Sequence, residues 1–479
     1  MRITLRLTCL VSILIAAASS IAGDAESTKM AAIKSIDAHR AEFVDLADQI
    51  WAFAETALRE TRSAALLADY AEAHGFDVDR GVAGMPTAFV ASFGEGRPII
   101  GVLGEYDALP GLSQRAQPTL EPLVAGGAGH GCGHNLFGAA SLGAALAIKE
   151  LIAGGELSGT VRFYGTPAEE AVGGKLFMVR AGRFDDLDVA LAWHPGDRIV
   201  ADTKGNQAIV DLVVEFEGST AHAAFDPWNG RSAADGAEVF TFALNLMREH
   251  VRPTVRMHYV VTEAGDGPNV VPAKARVWCW LRDSSAARVN QLLERARQIA
   301  EGAALATGTS ARVTVQSGDW EMLPMLTGAK LIHDNMMWLG PIEYTEQEQE
   351  FARQIQRATD VEPVGLKGTP EPLDLDPHGI DGGSTDVGDV SWTVPTLHLS
   401  VTTAAAGAPW HAWPVVATGG MSIGHKGMVY AAKTMAATMV DLFADPEKLA
   451  EVRREFEDKT RGIEYVSFLP DGPPPIPLD

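Results

Sequence analysis

Cysteine is scarce: 479 residues hold three, at positions 9, 132 and 279. So few thiols exclude a disulfide framework in any compartment. Basic residues are in deficit too, 39 Lys and Arg against 62 Asp and Glu, for a formal net charge of −23. A nucleic-acid partner needs a basic face, so that class is set aside. A small anionic substrate is not, because a few local cations can dominate one pocket. Internal repeats are absent. What remains is ordinary for a soluble globular protein: 46% hydrophobic, 21% charged, and long enough for two domains with separate cores.

The N-terminus reads as a targeting segment. Arg2 and Arg6 precede an apolar stretch over 7–18, then small residues ending in Ser20-Ile21-Ala22. That is the pattern of a secretory signal peptide over 1–22, with cleavage after Ala22. The stretch is short for a membrane span, and Cys9 lacks a lipid-attachment context, so no stable membrane anchor is expected. The protein is expected to be secreted or periplasmic. Removing 1–22 takes away two arginines and no acid, which moves the net charge from −23 to −25. Cys279 sits in Arg276-Val277-Trp278-Cys279-Trp280-Leu281, a strand pattern that suits a core thiol. Cys132 is then the candidate ligand or reactive thiol.

Cys132 belongs to Gly129-His130-Gly131-Cys132-Gly133-His134-Asn135, directly before an apolar run over 136–152. Small residues let this backbone fold tightly, so Cys132 and His134 can aim at one centre. Thiolate and neutral imidazole are both ligands for zinc-like ions. A buried thiol beside a satisfied histidine is the bland alternative.

Up to about residue 205, helix and strand alternate. Helices are expected over 33–58 and 63–74, and strands at 87–92, 99–104, 160–164 and 189–193. Alternation of this kind implies an α/β fold, a helix-covered, mostly parallel sheet whose ligands gather beyond the carboxyl ends of its strands. Glu105 and Asp107 follow one strand, Glu169 and Glu170 a second, and His194 a third. From about 206 to 318 the order becomes strand-helix-strand-strand-helix-strand, the ferredoxin-like α+β succession, whose neighbouring ends suit an insertion. Catalytic domain over 30–205 and 319–465, inserted dimerisation or lid domain over 206–318, and a proline-rich tail over 466–479 are the expected divisions. Strand 396–401, His411 and a helix over 422–443 complete the second catalytic part.

The ordered set of motifs resembles the aminoacylase/carboxypeptidase family of dinuclear metallohydrolases, in its hippurate-hydrolase-like amidohydrolase branch. The resemblance rests on Gly104-Glu105-Tyr106-Asp107-Ala108-Leu109-Pro110, His130-Gly131-Cys132-Gly133-His134-Asn135, Pro167-Ala168-Glu169-Glu170 and Trp193-His194-Pro195. Ala221-His222-Ala223-Ala224, Pro268-Asn269-Val270-Val271-Pro272 and His411-Ala412-Trp413 extend it over nearly the whole mature chain.

The resemblance implies two divalent metal ions, zinc or manganese with cobalt possible, held by Cys132, His134, Glu170, His194 and His411, with Cys132 bridging. It implies Glu169 as general base, Asp107 as the residue that orients a ligand, and His222, near substrate-binding Asn269, as an oxyanion donor across a dimer. The implied activity is hydrolysis of N-acyl or N-aroyl amino acids of the aminobenzoyl-glutamate kind, or of small dipeptides, by a homodimer or a hetero-oligomer with a paired A subunit. Glu105 departs from the family, standing where other branches carry a metal-binding histidine. Asp386 reads equally as a site residue or a helix cap, His130 as a loop-shaping residue and His425 as a core histidine. Arg252, Arg256 and Lys175 are unranked candidates for a substrate carboxylate. A cysteine hydrolase with Cys132 as nucleophile and His134 as base, and a non-catalytic binding protein on the same fold, are the competing readings.

Overall fold

The computed structural model describes residues 25–477. The expected signal peptide over 1–22 lies outside the described residues. Six strands come first: β1 (Asp77–Arg80), β2 (Phe89–Glu95), β3 (Ile99–Gly104), β4 (Gly159–Gly165), β5 (Val189–Gly196) and β6 (Val200–Ala201). β7 (Ala208–Glu217), β8 (Arg256–Glu263), β9 (Lys274–Asp283) and β10 (Ser310–Asp319) form a separate sheet, and β11 (Thr396–Thr402) returns to the first.

The larger sheet has the order β1-β2-β4-β3-β5-β11-β6. Its central four strands, β4, β3, β5 and β11, are parallel, and β1, β2 and β6 add antiparallel pairs at the edges. Parallel central strands bring the residues after Gly104, Gly165 and Gly196 to one edge. Helix His134–Gly154 runs back from that edge and is buried along most of its length. By length and composition it is apolar enough to cross a membrane, but here it forms the core, with Leu136, Phe137, Leu142, Leu146 and Ile148 at most 1% exposed. Burial of such side chains contributes about 1.5–3 kcal/mol each.

The smaller sheet has the order β10-β7-β9-β8, which is what strand-helix-strand-strand-helix-strand produces in a ferredoxin-like unit. Helices Ala233–Met247 and Ala286–Thr307 are capped by Ser232 and Ser285, whose side chains accept from Asp235 N–H and Arg288 N–H. They cover one face of the sheet with a core of their own, including Leu212, Val214, Phe240, Val277 and Leu293. Cys279 is 1% exposed within that core, as its alternating strand predicts.

Three expectations change. The helix expected over 33–58 is two helices, 25–38 and Arg40–Phe53, meeting at His39, and Ala54 ends the second in the left-handed region at φ 45. Helix Pro446–Thr460 is additional to those expected, although Asp445 caps it and Pro446 stands at its first position, both start signals. The strand expected to begin at 87 begins at Phe89. The described part of the tail runs over the surface and is tied down: Arg180 donates to the carbonyl of Pro470 at 3.0 Å, and Trp320 Nε1 to that of Val466 at 2.9 Å.

Candidate metal centre

Four strands and one loop bring the polar residues of the centre together. Glu105, Tyr106 and Asp107 follow β3, Pro167 to Glu170 follow β4, His194 lies near the end of β5, and His411 follows β11. The Cys132 loop is pressed between them. Gly133 has φ 77, and a Cβ there would stand 2.8 Å from Pro195 Cβ; one on Gly138 would stand 2.9 Å from the Glu105 carbonyl oxygen. Those two glycines let the loop and its helix approach the strand ends this closely. Ala168 and His411 hold φ values of 64 and 52 without being glycine. Left-handed backbone at such residues is strained, and here it sits beside Glu169 and at a candidate ligand.

Three donor trios meet here, two of them sharing the Cys132 thiol and the third made by Glu105, His134 and Glu169. Cys132, His134 and His194 offer atoms all within 4.8 Å of one another, and so do Cys132, Glu170 and His411. Cys132 Sγ is 3.3 Å from His194 Nε2, and His411 Nε2 is 3.4 Å from Glu170 Oε1. The far sides of two of the imidazoles, His194 and His134, are anchored. His194 Nδ1 donates to the carbonyl of Pro195 at 2.7 Å, and His134 Nδ1 to Asp107 Oδ1 at 2.9 Å. Such anchoring turns the Nε2 lone pairs toward the centre. Asp107 also accepts the amide of Glu170 at 2.9 Å, so one carboxylate orients two prospective ligands.

Two observations test whether cations fit. First, Glu105 Oε2, His134 Nε2 and Glu170 Oε1 are buried without a hydrogen-bond partner. Glu105 Oε2 and His134 Nε2 are 3.0 Å apart but not aligned to bond each other, so both face a shared point. An orphaned buried group costs about 1–3 kcal/mol, more when charged. Second, the centre is starved of positive charge. Burial, with the charges of Glu105 and Glu170 added, pushes the Glu169 carboxyl well up. Burial takes Glu170 to about 7. Burial and neighbouring Glu170 also push the Cys132 thiol up. Lys175, fully buried, already bonds Glu105 Oε1 at 2.6 Å and Asp386 Oδ1 at 2.7 Å. Thiolate, imidazole and carboxylate around an electron-rich void suit divalent ions of the zinc type.

The centre opens into a cavity of about 570 Å³ lined by Cys132, Glu169, Glu170, His194 and His411 on one side. Trp280 and Arg282 of β9 and Asp319 of β10 line the other, with Arg282 over the Trp280 ring at 5.3 Å. Lys204, Asp202 and His398 close a third wall, His398 Nδ1 bonding Asp202 Oδ2 at 2.5 Å.

Not every expected residue reaches this cavity. His222 and Asn269 lie near each other on the smaller unit, joined by the bridge His222–Val270, and both are exposed outside the cavity lining. His222 Nδ1 accepts from the amides of Ala224 and Phe225, at 3.2 and 3.1 Å. Asp386 is no cap: its side chain serves Lys175, at the amide as well as at Nζ. His130 donates Nε2–H to the Ile50 carbonyl at 3.0 Å, and burial takes it down to about 4, so it shapes the loop as a neutral ring. His425 bonds Asp48 at 2.8 Å, away from the centre.

Of the cations weighed for a substrate carboxylate, Lys175 is consumed by acids, Arg256 donates to the Pro253 and Val255 carbonyls, and none of the three lines the cavity. Arg282 and Lys204 do. Arg282 was legible in principle, since β9 alternates and places it on the face away from the Cys279 core. Glu60, which carries no motif in the sequence, is fully buried and accepts the Ala168 amide at 3.0 Å. Burial and the nearby charge of Asp107 push it up to about 8.

A model of peptidase family M20/M25/M40 matches residues 101–361. The B subunit of the p-aminobenzoyl-glutamate hydrolase of Escherichia coli (strain K12) is 40% identical over 472 residues, 93% of this chain and 98% of that protein. The Xaa-Arg dipeptidase of Mus musculus is 29% identical over 456 residues, 92% and 95% of the two chains. Among solved structures, a dinuclear metal binding peptidase of the M20 family from Bacillus subtilis superposes with a TM-score of 0.59 at 17% identity, covering 85% of this chain and 99% of its own.

Proposed function

The chain belongs to peptidase family M20/M25/M40, and on that premise we propose that it is an exported dinuclear enzyme acting on N-aroyl or N-acyl amino acids of the aminobenzoyl-glutamate kind. It is a metal-dependent amidohydrolase. The observation that carries the finer reading is the pair of donor trios meeting at the Cys132 thiol, with Glu169 in the cavity beside them. In this reading Cys132, His134 and His194 hold one ion, and Cys132, Glu170 and His411 the other. Zinc or manganese suits this donor set, and cobalt can substitute. Divalent ions in such a centre polarise an amide carbonyl and make water more acidic.

The remaining work falls to side chains. Asp107 holds His134 in the tautomer that presents Nε2 and fixes the Glu170 backbone. Glu169 takes the proton of the attacking water and delivers it to the amide nitrogen as the C–N bond breaks. The products are a carboxylic acid and an amino acid. Arg282 and Lys204 are the cations within reach of a substrate carboxylate, and Trp280 offers a flat wall to an aromatic acyl group.

His222 and Asn269 act in the partner's cavity of a dimer in this proposal. What supports it is their exposure, together with an apolar face on the smaller unit. β8 is an edge strand with Val260 and Val261 59% and 45% exposed, and helix Ala233–Met247 beside it exposes Phe242 and Leu246. Asn245 Nδ2 donates to Tyr259 OH, which ties the helix to the edge strand. The partner is a second copy or, because the hydrolase relative from Escherichia coli is named as one of two kinds of subunit, an unlike A subunit. Export rests on the pattern of 1–22 alone.

The test is metal content and amide hydrolysis measured on one preparation, with Glu169→Gln alongside. The variant is expected to keep its metal and lose about 10²- to 10⁴-fold in kcat. The short Cys132–His194 distance also fits a thiol nucleophile, which the same preparation excludes or establishes. Hydrolysis that survives thorough chelation overturns the metal mechanism in favour of the thiol.

A further inference from the structure

A second set of metal-type donors lies on the helical face remote from the cavity. His39 stands at the joint between helices 25–38 and Arg40–Phe53, Glu42 is in the first turn of the latter, and His74 follows helix Thr61–Ala73. Their donor atoms all lie within 4.8 Å of one another. His39 Nδ1 is 3.3 Å from Glu42 Oε1, and His74 Nε2 is 3.8 Å from Glu42 Oε2. The rings meet edge to face at 5.6 Å.

The surroundings of these three side chains are arranged as around metal ligands. The far nitrogen of His39, Nε2, bonds Glu150 Oε1 at 3.2 Å, and the far nitrogen of His74, Nδ1, donates to the Tyr70 carbonyl at 2.8 Å. Each ring is thereby turned so that its other nitrogen faces the same carboxylate. Glu42 is steadied by the Tyr70 hydroxyl, which donates to Oε2 at 2.6 Å. Glu42 and Glu150 bring two negative charges, and no ion pair with Lys or Arg is made by either among the described residues. The histidines are only about a quarter exposed, and Glu42, about half exposed, is the donor on the solvent side. Two imidazoles and a carboxylate form the donor set of a zinc site that leaves one position to water.

The geometry points to a third metal site, a single zinc-class ion held by His39, Glu42 and His74, which ties the N-terminal helices to helix Thr61–Ala73. It contains no thiolate and shares no ligand with the Cys132 centre. Its loss leaves the hydrolytic machinery intact.

The experiment titrates chelated, full-length protein with zinc by calorimetry and, in parallel, with cobalt(II) followed by absorbance. Wild type is expected to take up one equivalent more than His74→Gln. That extra cobalt adds d–d bands without thiolate-to-metal charge transfer, and hydrolysis at saturating metal is unchanged. Tyr70→Phe is expected to keep the site but weaken it about tenfold or more, the effect of losing support behind a ligand. Equal uptake by wild type and His74→Gln overturns the proposal, and so does an extra equivalent that disappears only when Cys132 is replaced. Should His74→Gln fail to fold, His39→Gln is read by the same criteria. None of these outcomes depends on which amide the enzyme hydrolyses.

Discussion

The edge of the larger sheet and the outer face of the smaller unit are both incomplete, but they lack opposite things. At the sheet edge, buried polar atoms of Glu105, His134 and Glu170 have no partner, and acids outnumber the one buried lysine beside them. What is missing there is positive charge. The smaller unit has a finished apolar core and capped helices, and leaves Phe242, Leu246, Val260 and Val261 uncovered. What is missing there is apolar surface. An unsatisfied buried polar group marks a place for an ion, and an uncovered apolar patch marks a place for another chain. The kind of deficit therefore identifies the kind of partner.

Three perturbations sharpen this contrast. The largest effect is expected from Lys175→Met. It removes the cation between Glu105 and Asp386, leaving two carboxylates buried without a counter-charge. Breaking a buried ion pair in this way costs about 3–5 kcal/mol. A denaturant midpoint unchanged from wild type breaks the claim that positive charge is limiting at this edge. Added divalent metal is expected to restore part of the loss.

Arg282→Ala comes next, because Arg282 belongs to the smaller unit yet faces the cavity of the larger. Loss of one charge-assisted hydrogen bond to a substrate carboxylate is worth about 1.5–3 kcal/mol, so KM should rise about ten- to a hundredfold while kcat changes less. The comparison substrate is an amide lacking the free carboxylate. If both substrates lose equally, Arg282 serves the fold and not recognition.

The smallest effect on the single chain is expected from Val260→Asp on the edge strand. Its side chain is already 59% exposed, so the thermal midpoint should barely move. Sedimentation velocity is expected to show a shift toward monomer, since a charge buried at an interface costs several kcal/mol. An unchanged sedimentation profile removes the patch from the proposed interface, and with it the proposed reach of His222 into a second cavity.

Much of the architecture was legible in order and spacing. Strand β3 and helix Ser422–Ala444 fall where the sequence pattern puts them, because each is a largely apolar segment that the core buries over most of its length. The ligand candidates were legible for a related reason: residues after parallel strands share an edge, whatever the packing. The sequence by itself therefore determined the fold class, the pairing of a charged sheet edge with an inserted α+β unit, and the residues gathered at that edge.

Other features were decided by contacts between segments far apart in the chain. Lys175 reads as a candidate cation for a substrate carboxylate until Glu105, 70 positions before it, and Asp386, 211 after, are placed at its tip. Glu60 carries no motif, and only the fold brings the Ala168 amide to its carboxylate. His39 breaks its helix beside Glu150, 111 residues away. Whether Asp386 caps a helix or binds a lysine, and which cation looks into the cavity, are matters of direction in space. Periodicity determines which side of an element a residue occupies, and only tertiary packing determines what that side meets.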